Sequence, residues 1–268
     1  MFHTPAPKAF RTGILSRSRG SGVLIYGPPG TGKTMLIKAL AKEADMRMVS
    51  VSYGDLQSKY YEEAESKIRK LFAYARRHHP CAIFIDEADG CLRSRTAMNA
   101  QRGDITFLNQ FLSEIDGISA RPNRMPIVMA ATNHPANIDE GILRRLSRRI
   151  LVGLPDVKGR EAILKLHLAD EKLEVEGEDA DALIMDLARS THDYTGCDLR
   201  DLVERAALQA IQDVYKKEEA AERPRLGGEN RVITREHLWA AKSTMRPSPK
   251  TDLAKIDEFH GKHGTVGR

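Results

Sequence analysis

Eight residues, GPPGTGKT at Gly27–Thr34, have the types and spacing that bind nucleotide phosphates. An apolar run precedes them and a helical pattern follows, as this motif requires. Glycines let backbone N–H groups approach phosphate oxygens without obstruction by a Cβ, and the start of a helix adds partial positive charge. In such a loop Lys33 reaches the terminal phosphates and the hydroxyl of Thr34 binds Mg²⁺. The candidate cofactor-binding residues are therefore Gly27, Pro28, Pro29, Gly30, Thr31, Gly32, Lys33, Thr34 and Met35.

Two adjacent carboxylates follow the apolar run CAIFI, at the point where a buried strand would end. Ligands of open α/β sheets bind at that end of the strands. We expect Asp86 to hold Mg²⁺ together with Thr34, and Glu87 to polarise the water that attacks the phosphate. Asp89 is compatible with catalysis and equally with capping of the loop.

Asn133 follows another apolar run, PIVMAAT, and is expected at the same edge of the sheet. A polar amide there can orient a water beside the terminal phosphate. The alternative is an asparagine that forms the turn at HPANID. The catalytic group predicted from these motifs is Lys33, Glu87 and Asn133.

Short apolar segments alternate with longer helical patterns in the first half of the chain. The predicted strands are Val23–Tyr26, Met46–Val51, Ala82–Ile85, Ile127–Ala131 and Arg149–Val152. The predicted helices are Lys33–Ala44, Glu62–Arg77 and Ile105–Ile115. Continuous apolar strands are typical of a parallel sheet covered on both faces. The alternation therefore predicts an α/β fold with a five-stranded parallel sheet.

Beyond the fifth predicted strand the patterns are helical, with no convincing strand. The apolar residues of Asp198–Val214 fall on one helix face. Residues 216–231 are charged and contain proline and glycine, which predicts an exposed loop, and Thr234 is the expected N-cap of the next helix. We therefore predict a large α/β domain of residues 1–154 and a small helical domain of residues 155–268 that includes a C-terminal helix.

The composition is that of a folded and mildly basic protein. The 268 residues are 41% hydrophobic, which is enough to bury either one sizeable core or one large and one small core. The net charge of +5 is weaker than the dense cationic surface of most nucleic-acid-binding proteins. No segment approaches the roughly 20 apolar residues of a membrane span. Cys81, Cys91 and Cys197 form no CxxC pair and are expected to be reduced, buried or half-buried thiols in a cytosol-like compartment.

The order of the motifs resembles the AAA subfamily of AAA+ ATPases. The residues that carry the resemblance are GPPGTGKT, IFIDEAD, AATN, LRRLSRRI and YTGCDL. It implies a P-loop NTPase large domain followed by a small helical lid, with ATP and Mg²⁺ as cofactors. It also implies a hexameric ring that hydrolyses ATP bound between neighbouring subunits, with a polypeptide substrate drawn through the central pore.

The resemblance assigns further residues to the nucleotide site. The segment LRRLSRRI resembles the arginine-finger segment of the family. The resemblance implies that Arg144 and Arg145 contact the γ-phosphate bound by the neighbouring protomer. The alternative is a basic helix end. The motif YTGCDL resembles the lid segment that packs near the adenine. The resemblance implies that Gly196 and Cys197 contact the bound nucleotide.

The polar stretch after the second strand corresponds to the loop that grips polypeptide in the pore. That loop usually reads Lys, aromatic, any residue, Gly, Glu, and this chain has Lys59, Tyr60, Tyr61, Glu62 and Glu63. Tyr60 aligns with the gripping aromatic ring, which can insert between side chains of any sequence. Tyr61 is equally compatible with packing. Glu62 replaces the usual glycine and either favours basic substrate segments or begins the helix.

The finger segment lacks the usual Gly-Arg-Phe-Asp and is most similar to the meiotic clade. That clade contains spastin, katanin, the ATPase that disassembles ESCRT filaments and the mitochondrial outer-membrane protein-extracting ATPases. The run FLNQFLSEIDG is closer to the classical branch. Family members usually extend farther before PAPKAF, so we expect a fragment that lacks a targeting domain or a membrane anchor, mitochondrial or other. Gly13 and Ile14 are the remaining candidates for adenine contacts.

We favour a protein translocase or remodeller with a soluble, cytoplasm-facing ATPase core. A microtubule-severing ATPase, a nucleic-acid-dependent motor and a weakly hydrolysing scaffold are the alternatives. No aromatic platform or basic stripe supports nucleic acid as a partner. The scaffold is disfavoured because Lys33, Asp86, Glu87, Asn133 and Arg144 are all present.

Overall fold

The computed structural model describes residues 22–56, 61–94, 102–117, 126–174, 179–220, 231–248 and 253–265. These residues form two compact units, each with its own hydrophobic core. The first unit contains the described residues up to Pro28, those of Lys33–Val152 and the C-terminal helix. The second contains Pro29–Gly32 and the described residues between Gly153 and that helix.

The first unit is built on five parallel strands in the order β2-β3-β4-β1-β5. They are β1 Val23–Tyr26, β2 Arg47–Val51, β3 Cys81–Ile85, β4 Ile127–Thr132 and β5 Arg148–Leu151. The helices among them are α1 Lys33–Glu43, α2 Tyr53–Leu56, α3 Tyr61–Arg77, α4 Ala88–Cys91, α5 Arg102–Asp116 and α6 Glu140–Arg145. The predicted α/β fold is confirmed, and each predicted strand agrees to within one residue at either end.

Helices cover both faces of the sheet, which is why β3 is buried along its whole length. Ile83 of β3 belongs to the core that also contains Phe72 of α3 and Phe111 of α5. Phe84 points to the opposite face and packs in the cluster with Ile37 of α1. A continuous apolar run is therefore what this strand requires, because successive side chains alternate between two cores.

The register of the sheet aligns the ends of its three central strands. Tyr26 at the end of β1 pairs with Thr132 of β4, and Ile85 at the end of β3 pairs with Ala130. Neighbouring strands lie about 4.8 Å apart. The segments that follow β1, β3 and β4 therefore start side by side at one edge of the sheet.

The second unit packs four helices around an apolar core. They are α7 Val157–Leu168, α8 Ala180–Ser190, α9 Gly196–Ala220 and α10 Arg235–Thr244. Leu164, Leu187, Leu202 and Leu238, one from each helix, are fully buried together. The predicted N-cap is confirmed, since Thr234 accepts a hydrogen bond from the backbone N–H of His237.

Two features of the second unit differ from the sequence-based expectation. Two short strands, β6 Leu173–Glu174 and β7 Ile233–Thr234, pair in parallel, whereas we predicted no strand in this region. Strands of two residues carry no alternating pattern, so the sequence does not show them. The start of the predicted loop at 216–231 is also helical, because α9 continues to Ala220.

The C-terminal helix α11, Leu253–His263, lies in the first unit, whereas we predicted it within the small domain of residues 155–268. The reason is its apolar face: Ile256 and Phe259 are buried in the core of the first unit. The ring of Phe259 packs edge-on against Tyr26, with 5.1 Å between centroids. The hydroxyl of Tyr26 also hydrogen-bonds Nδ1 of His260 at 2.6 Å.

The three cysteines are free thiols, and two of them are buried as expected. Cys81 and Cys91 lie in the core, while Cys197 is exposed. Burial raises the pKa of the Cys91 thiol to about 12, which leaves it unreactive at neutral pH. Within the described part of the chain, we find no helix with the length and apolarity needed to cross a membrane.

Candidate nucleotide-binding and hydrolysis site

The phosphate loop contains glycine where the backbone excludes other residues. Gly27 has a φ of 150° and Gly30 a φ of 76°, values that residues with a Cβ rarely adopt. A Cβ on Gly27 would overlap the carbonyl oxygen of Val152. A Cβ on Gly30 would lie 2.8 Å from the hydroxyl oxygen of Thr195. Glycine at these positions therefore permits the tight loop that phosphate binding by backbone N–H groups requires.

Lys33 places a positive charge against this loop. It is the first residue of α1 and is only 8% exposed. Its ammonium group donates to the carbonyl oxygens of Gly27 at 3.0 Å and Pro28 at 2.6 Å. The cation and the N-terminus of α1 thus lie together, and both favour a bound anion.

Thr34 and Asp86 meet beside the loop. The hydroxyl of Thr34 donates to Oδ2 of Asp86 at 2.9 Å. The other carboxylate oxygen accepts from the backbone N–H of Glu87 at 3.0 Å. A hydroxyl and a carboxylate oxygen are hard ligands of the kind Mg²⁺ prefers, with phosphate and water supplying the rest of its shell. This pair therefore fits the predicted magnesium site.

Glu87 has a left-handed backbone, with φ 49° and ψ 47°. Such a conformation costs a residue other than glycine about 1–3 kcal/mol, and it persists only where the surrounding structure fixes it. The side chain of Glu87 is exposed and does not cap α4. A carboxylate at the carboxyl end of β3 is thus available to a water molecule.

Asn133 follows β4, and its Oδ1 is buried without a hydrogen-bond partner among the described residues. Buried amide oxygens are nearly always paired, so this atom marks a place for a water or a ligand. The turn that follows is not built on the Asn133 side chain. The hydroxyl of Thr132 instead accepts from the backbone N–H of His134 at 3.0 Å.

Asp89 is bonded to β4. Its Oδ1 accepts from the hydroxyl of Thr132 at 2.6 Å. Asp89 thus ties the start of α4 to the end of β4. Thr132 is a candidate site residue that the sequence does not single out, because threonine is an ordinary residue in a strand. The sequence feature that could have identified Thr132 is its position directly before Asn133.

The two predicted finger arginines differ in their surroundings. Arg144 is 70% exposed and pairs with the exposed Glu140 at 2.7 Å. Arg145 donates to both carboxylate oxygens of Asp116, at 3.0 Å and 2.8 Å, and to the carbonyl of Gly141 at 3.0 Å. The hydrogen bond with Asp116 raises the pKa of the Arg145 guanidinium above its ordinary value. Arg144 therefore faces solvent, whereas Arg145 is held inside the first unit.

Gly196 and Cys197 contact the phosphate loop within the second unit. The backbone N–H of Cys197 donates to the carbonyl oxygen of Gly30 at 3.2 Å. A Cβ on Gly196 would lie 3.3 Å from the same oxygen. Glycine at 196 therefore lets the start of α9 approach the loop closely.

Several predicted residues fall outside what the structure describes. Gly13, Ile14, Lys59 and Tyr60 lie beyond the described residues, and the side chains of Tyr61 and Glu62 do as well. The helix α3 begins at Tyr61, so Glu62 lies in its first turn, where a carboxylate is favourable.

Residues 23–154 match the family model described as "ATPase family associated with various cellular activities (AAA)". This range contains the phosphate loop and the residues Asp86, Glu87, Asn133 and Arg144. The residues predicted to hydrolyse ATP thus lie inside the matched segment.

Curated relatives match over most of this chain. The "Cell division cycle protein 48 homolog" of Archaeoglobus fulgidus is 35% identical over 261 residues, which cover 95% of this chain and 34% of the relative. A katanin p60-like ATPase of Rattus norvegicus is 39% identical over 196 residues, or 71% of this chain and 39% of the relative. The chain therefore spans about a third of the length of the curated relatives it matches.

A solved structure of the FIGL-1 AAA domain matches the whole fold, with a TM-score of 0.79 and 30% identity. The match covers 97% of this chain and 82% of that domain. The same domain has been solved in complex with ADP. The katanin-like and FIGL-1 relatives confirm the predicted similarity to the meiotic clade. Together the family match, these relatives and the shared fold establish that the chain belongs to the AAA family of ATPases.

Proposed function

We propose that this chain is the ATPase module of a hexameric ring that hydrolyses ATP and threads or remodels polypeptide substrates. One observation supports the hydrolysis above all others. The phosphate loop, two carboxylates and an unpaired buried amide oxygen follow three neighbouring strands, β1, β3 and β4, at one edge of the sheet. That edge is where open α/β sheets bind their ligands.

Binding is the task of Gly27–Thr34. Its backbone N–H groups and the Lys33 ammonium group hold the phosphates, with phosphate oxygens taking the place of the carbonyl partners that Lys33 has here. Bound Mg²⁺ neutralises phosphate charge, and Thr34 and Asp86 are the residues that would hold it. Gly196 and Cys197 contribute through their contact with Gly30.

Hydrolysis is the task of Glu87 and Asn133. Glu87 accepts a proton from the attacking water, and the amide of Asn133 orients that water. The oxygen of the water bonds to the γ-phosphorus as the bond to the bridging oxygen breaks, which gives ADP and inorganic phosphate. The exposed carboxylate and the fixed backbone of Glu87 support this role.

Assembly supplies the remaining groups. Members of the family generally form oligomeric rings. In the proposed hexamer, the exposed Arg144 neutralises charge on the γ-phosphate of the adjacent protomer. Lys59, Tyr60 and Tyr61 form the substrate loop, in which the ring of Tyr60 grips the polypeptide.

The substitution Glu87→Gln tests the hydrolysis step. It removes the base and keeps the shape, so we expect kcat to fall by at least about 100-fold, since a positioned base contributes about 10²–10⁴. Affinity for a fluorescent ATP analogue should stay within about threefold of wild type, because phosphate binding does not use this group. Phosphate release measures kcat. Glu43→Gln, at the exposed end of α1, is the matched control and should keep the wild-type rate.

Two results would contradict the proposal. Unchanged turnover in Glu87→Gln would exclude Glu87 as the base. Tight ATP binding without hydrolysis by the wild-type protein, at concentrations where it assembles, would favour the nucleotide-gated scaffold.

A further inference from the structure

One buried hydrogen bond joins the two segments that carry Glu87 and Asn133. Thr132 is 1% exposed, and its hydroxyl donates to Oδ1 of Asp89 at 2.6 Å. Asp89 is two residues beyond Glu87, and Thr132 directly precedes Asn133. The bond therefore connects the backbones on which the two proposed water-holding groups are mounted.

Backbone bonds continue this connection farther along the same segments. The N–H of Ser94 donates to the carbonyl of Asn137 at 2.7 Å, and the N–H of Asp139 donates to the carbonyl of Leu92 at 2.8 Å. These bonds lie farther along the chain from the reacting groups and do not depend on a side chain. The Asp89–Thr132 bond can be removed selectively by a substitution at Asp89, because the Thr132 hydroxyl also accepts from the backbone N–H of His134.

The bond has the chemistry of a strong contact. A hydroxyl that donates to a carboxylate at 2.6 Å is charge-assisted and about twice as strong as a neutral hydrogen bond. Thr132 is buried, so water does not readily replace it. The left-handed backbone of Glu87 needs its surroundings to hold it in place. This bond fixes the first turn of α4, which directly follows Glu87.

We propose that Asp89 and Thr132 are positioning residues for ATP hydrolysis, because their hydrogen bond sets the separation of Glu87 from Asn133. The inference rests on the proposed function, since it concerns the water that those two groups hold. Misplacement of a catalytic group by about 1 Å costs about 10²-fold in rate. Phosphate binding by Gly27–Thr34 does not depend on this bond.

The test compares two substitutions of one residue. Thr132→Val keeps the shape without the hydroxyl, and Thr132→Ser keeps the hydroxyl without the methyl group. We expect Thr132→Val to lower kcat at least about 10-fold, with KM and the affinity for a fluorescent ATP analogue within about twofold of wild type. Thr132→Ser should restore kcat to within about threefold of wild type.

Thr191→Val is the matched control. Thr191 is 0% exposed, and its hydroxyl donates to the carbonyl of Leu187 at 2.9 Å in the second unit. Both substitutions remove a fully buried hydroxyl that donates a hydrogen bond, so the control shows what such a loss does away from the proposed site. We expect the control to keep the wild-type kcat.

Substitutions at Asp89 test the bond from its other side and do not disturb β4. Asp89→Asn keeps an oxygen that accepts from Thr132 and should retain most of the activity. Asp89→Ala removes this bond, leaves the bond between Thr132 and the His134 N–H in place, and should lower kcat at least about 10-fold. The double variant Asp89→Ala with Thr132→Val should be no slower than Thr132→Val alone, because Thr132→Val already removes the bond that Asp89→Ala removes.

Equal kcat in wild type and Thr132→Val would overturn the inference, as would a parallel loss of kcat and nucleotide affinity. Additive losses in the double variant would overturn it as well. Glu87→Gln is measured beside these variants. If wild type hydrolyses ATP and Glu87→Gln does not, the proposed role of Glu87 in hydrolysis stands whatever the Thr132 variants do. If hydrolysis does not depend on Glu87, the proposed function itself is wrong.

Discussion

Asp198 shows how one carboxylate can order the start of a helix. It is 6% exposed and lies in the first turn of α9. The backbone N–H of Thr195 donates to it at 2.8 Å, and the hydroxyl of Ser248 donates at 2.5 Å. Burial acts to raise the pKa of Asp198, but the hydrogen bonds from Ser248 and Thr195 together outweigh it, so the pKa lies below its ordinary value.

This lowered pKa predicts a pH-dependent contribution to stability. The contribution is present above the ordinary carboxyl pKa of about 3.9 and is lost as pH falls through the lower folded value. We expect Asp198→Asn to reduce the free energy of unfolding by about 1–3 kcal/mol at pH 7, with the difference from wild type shrinking below about pH 4. The fluorescence of Trp239, the single tryptophan of the chain, reports unfolding of the second unit.

Asp170→Asn serves as the control for that measurement, because Asp170 is exposed and should contribute little at any pH. A difference between wild type and Asp198→Asn that stayed constant from pH 7 to pH 3 would contradict the assigned cause.

At this scale the sequence predicts the site residues that belong to recognisable motifs. Lys33 and Thr34 lie in the phosphate-loop motif, and Asp86 lies in the pair of carboxylates directly after an apolar run. The role of Thr132 depends on a partner 43 positions away in sequence, and a threonine in a strand carries no sign of that partner. The unequal burial of Arg144 and Arg145 is equally invisible, because it depends on where Asp116 lies.

The helix α11 follows the second unit in sequence but belongs to the first unit. Its apolar face completes the core of the first unit next to β1, which leads into the phosphate loop. After the helix, Thr265 and Arg149 of β5 exchange hydrogen bonds: the N–H of Thr265 donates to the Arg149 carbonyl at 3.1 Å, and the N–H of Arg149 donates to the Thr265 hydroxyl at 2.9 Å. The helix α11 and the residue Thr265 after it therefore cover parts of both β1 and β5.

Removal of its main anchor should destabilise the first unit selectively. Phe259 is 5% exposed, so we expect Phe259→Ala to cost about 3–5 kcal/mol of the free energy of unfolding. Native-state hydrogen exchange of the amides in β1 and β5 measures the loss, while the urea midpoint of Trp239 fluorescence should not change. Leu208→Ala on α9, where the side chain is 60% exposed, is the control and should be nearly neutral. Loss confined to the second unit would contradict this account.

Elements that show a regular apolar pattern could be predicted from the sequence, whereas elements whose position depends on contacts with distant segments could not. The five strands and the helices α1, α3 and α5 follow from periodicity, which a sequence displays directly. The pairing of β6 with β7 and the location of α11 depend on contacts between distant segments. Periodicity alone shows that α11 has an apolar face, and leaves open which core that face joins.

At the scale of the whole molecule, the proposed site is shared between copies of the chain. Arg144 and Arg145 are neighbours in sequence with different surroundings: Arg144 is exposed, and Arg145 pairs with Asp116. We infer that Arg144 serves the adjacent protomer, whereas Arg145 stabilises its own. The AAA family's tendency to form rings makes this division testable by mixing variants.

Mixing Arg144→Ala with Glu87→Gln should restore activity that neither variant has alone. A site on an Arg144→Ala protomer keeps its Glu87 and can receive Arg144 from a Glu87→Gln neighbour. Random mixing at equal amounts should recover about one quarter of the wild-type rate if the arginine acts in trans. Phosphate release by the mixture measures this, and a rate equal to the sum of the separate variants would argue for action within one protomer.

The stability of the first unit should respond differently to Arg145→Ala and to Arg144→Ala. We expect Arg145→Ala to have the larger effect. It should lower the free energy of unfolding of the first unit by about 1.5–3 kcal/mol, because it removes the two hydrogen bonds that the Arg145 guanidinium donates to Asp116. Arg144→Ala should change it by less than about 0.5 kcal/mol, as is usual for an exposed pair within one helix.

The first unit is interrupted in sequence, because the chain leaves it at Val152 and returns only with α11. A ribosome adds about 5–20 residues per second, so the start of this unit waits on the order of ten seconds for its last helix. During that time Tyr26 and the edge of β5 lack their final cover in the nascent chain. Two of the four residues of β5 are arginines, and charged side chains on an edge strand discourage pairing with other chains. The sequence of β5 thus suits a strand whose outer edge stays uncovered until α11 has been synthesised.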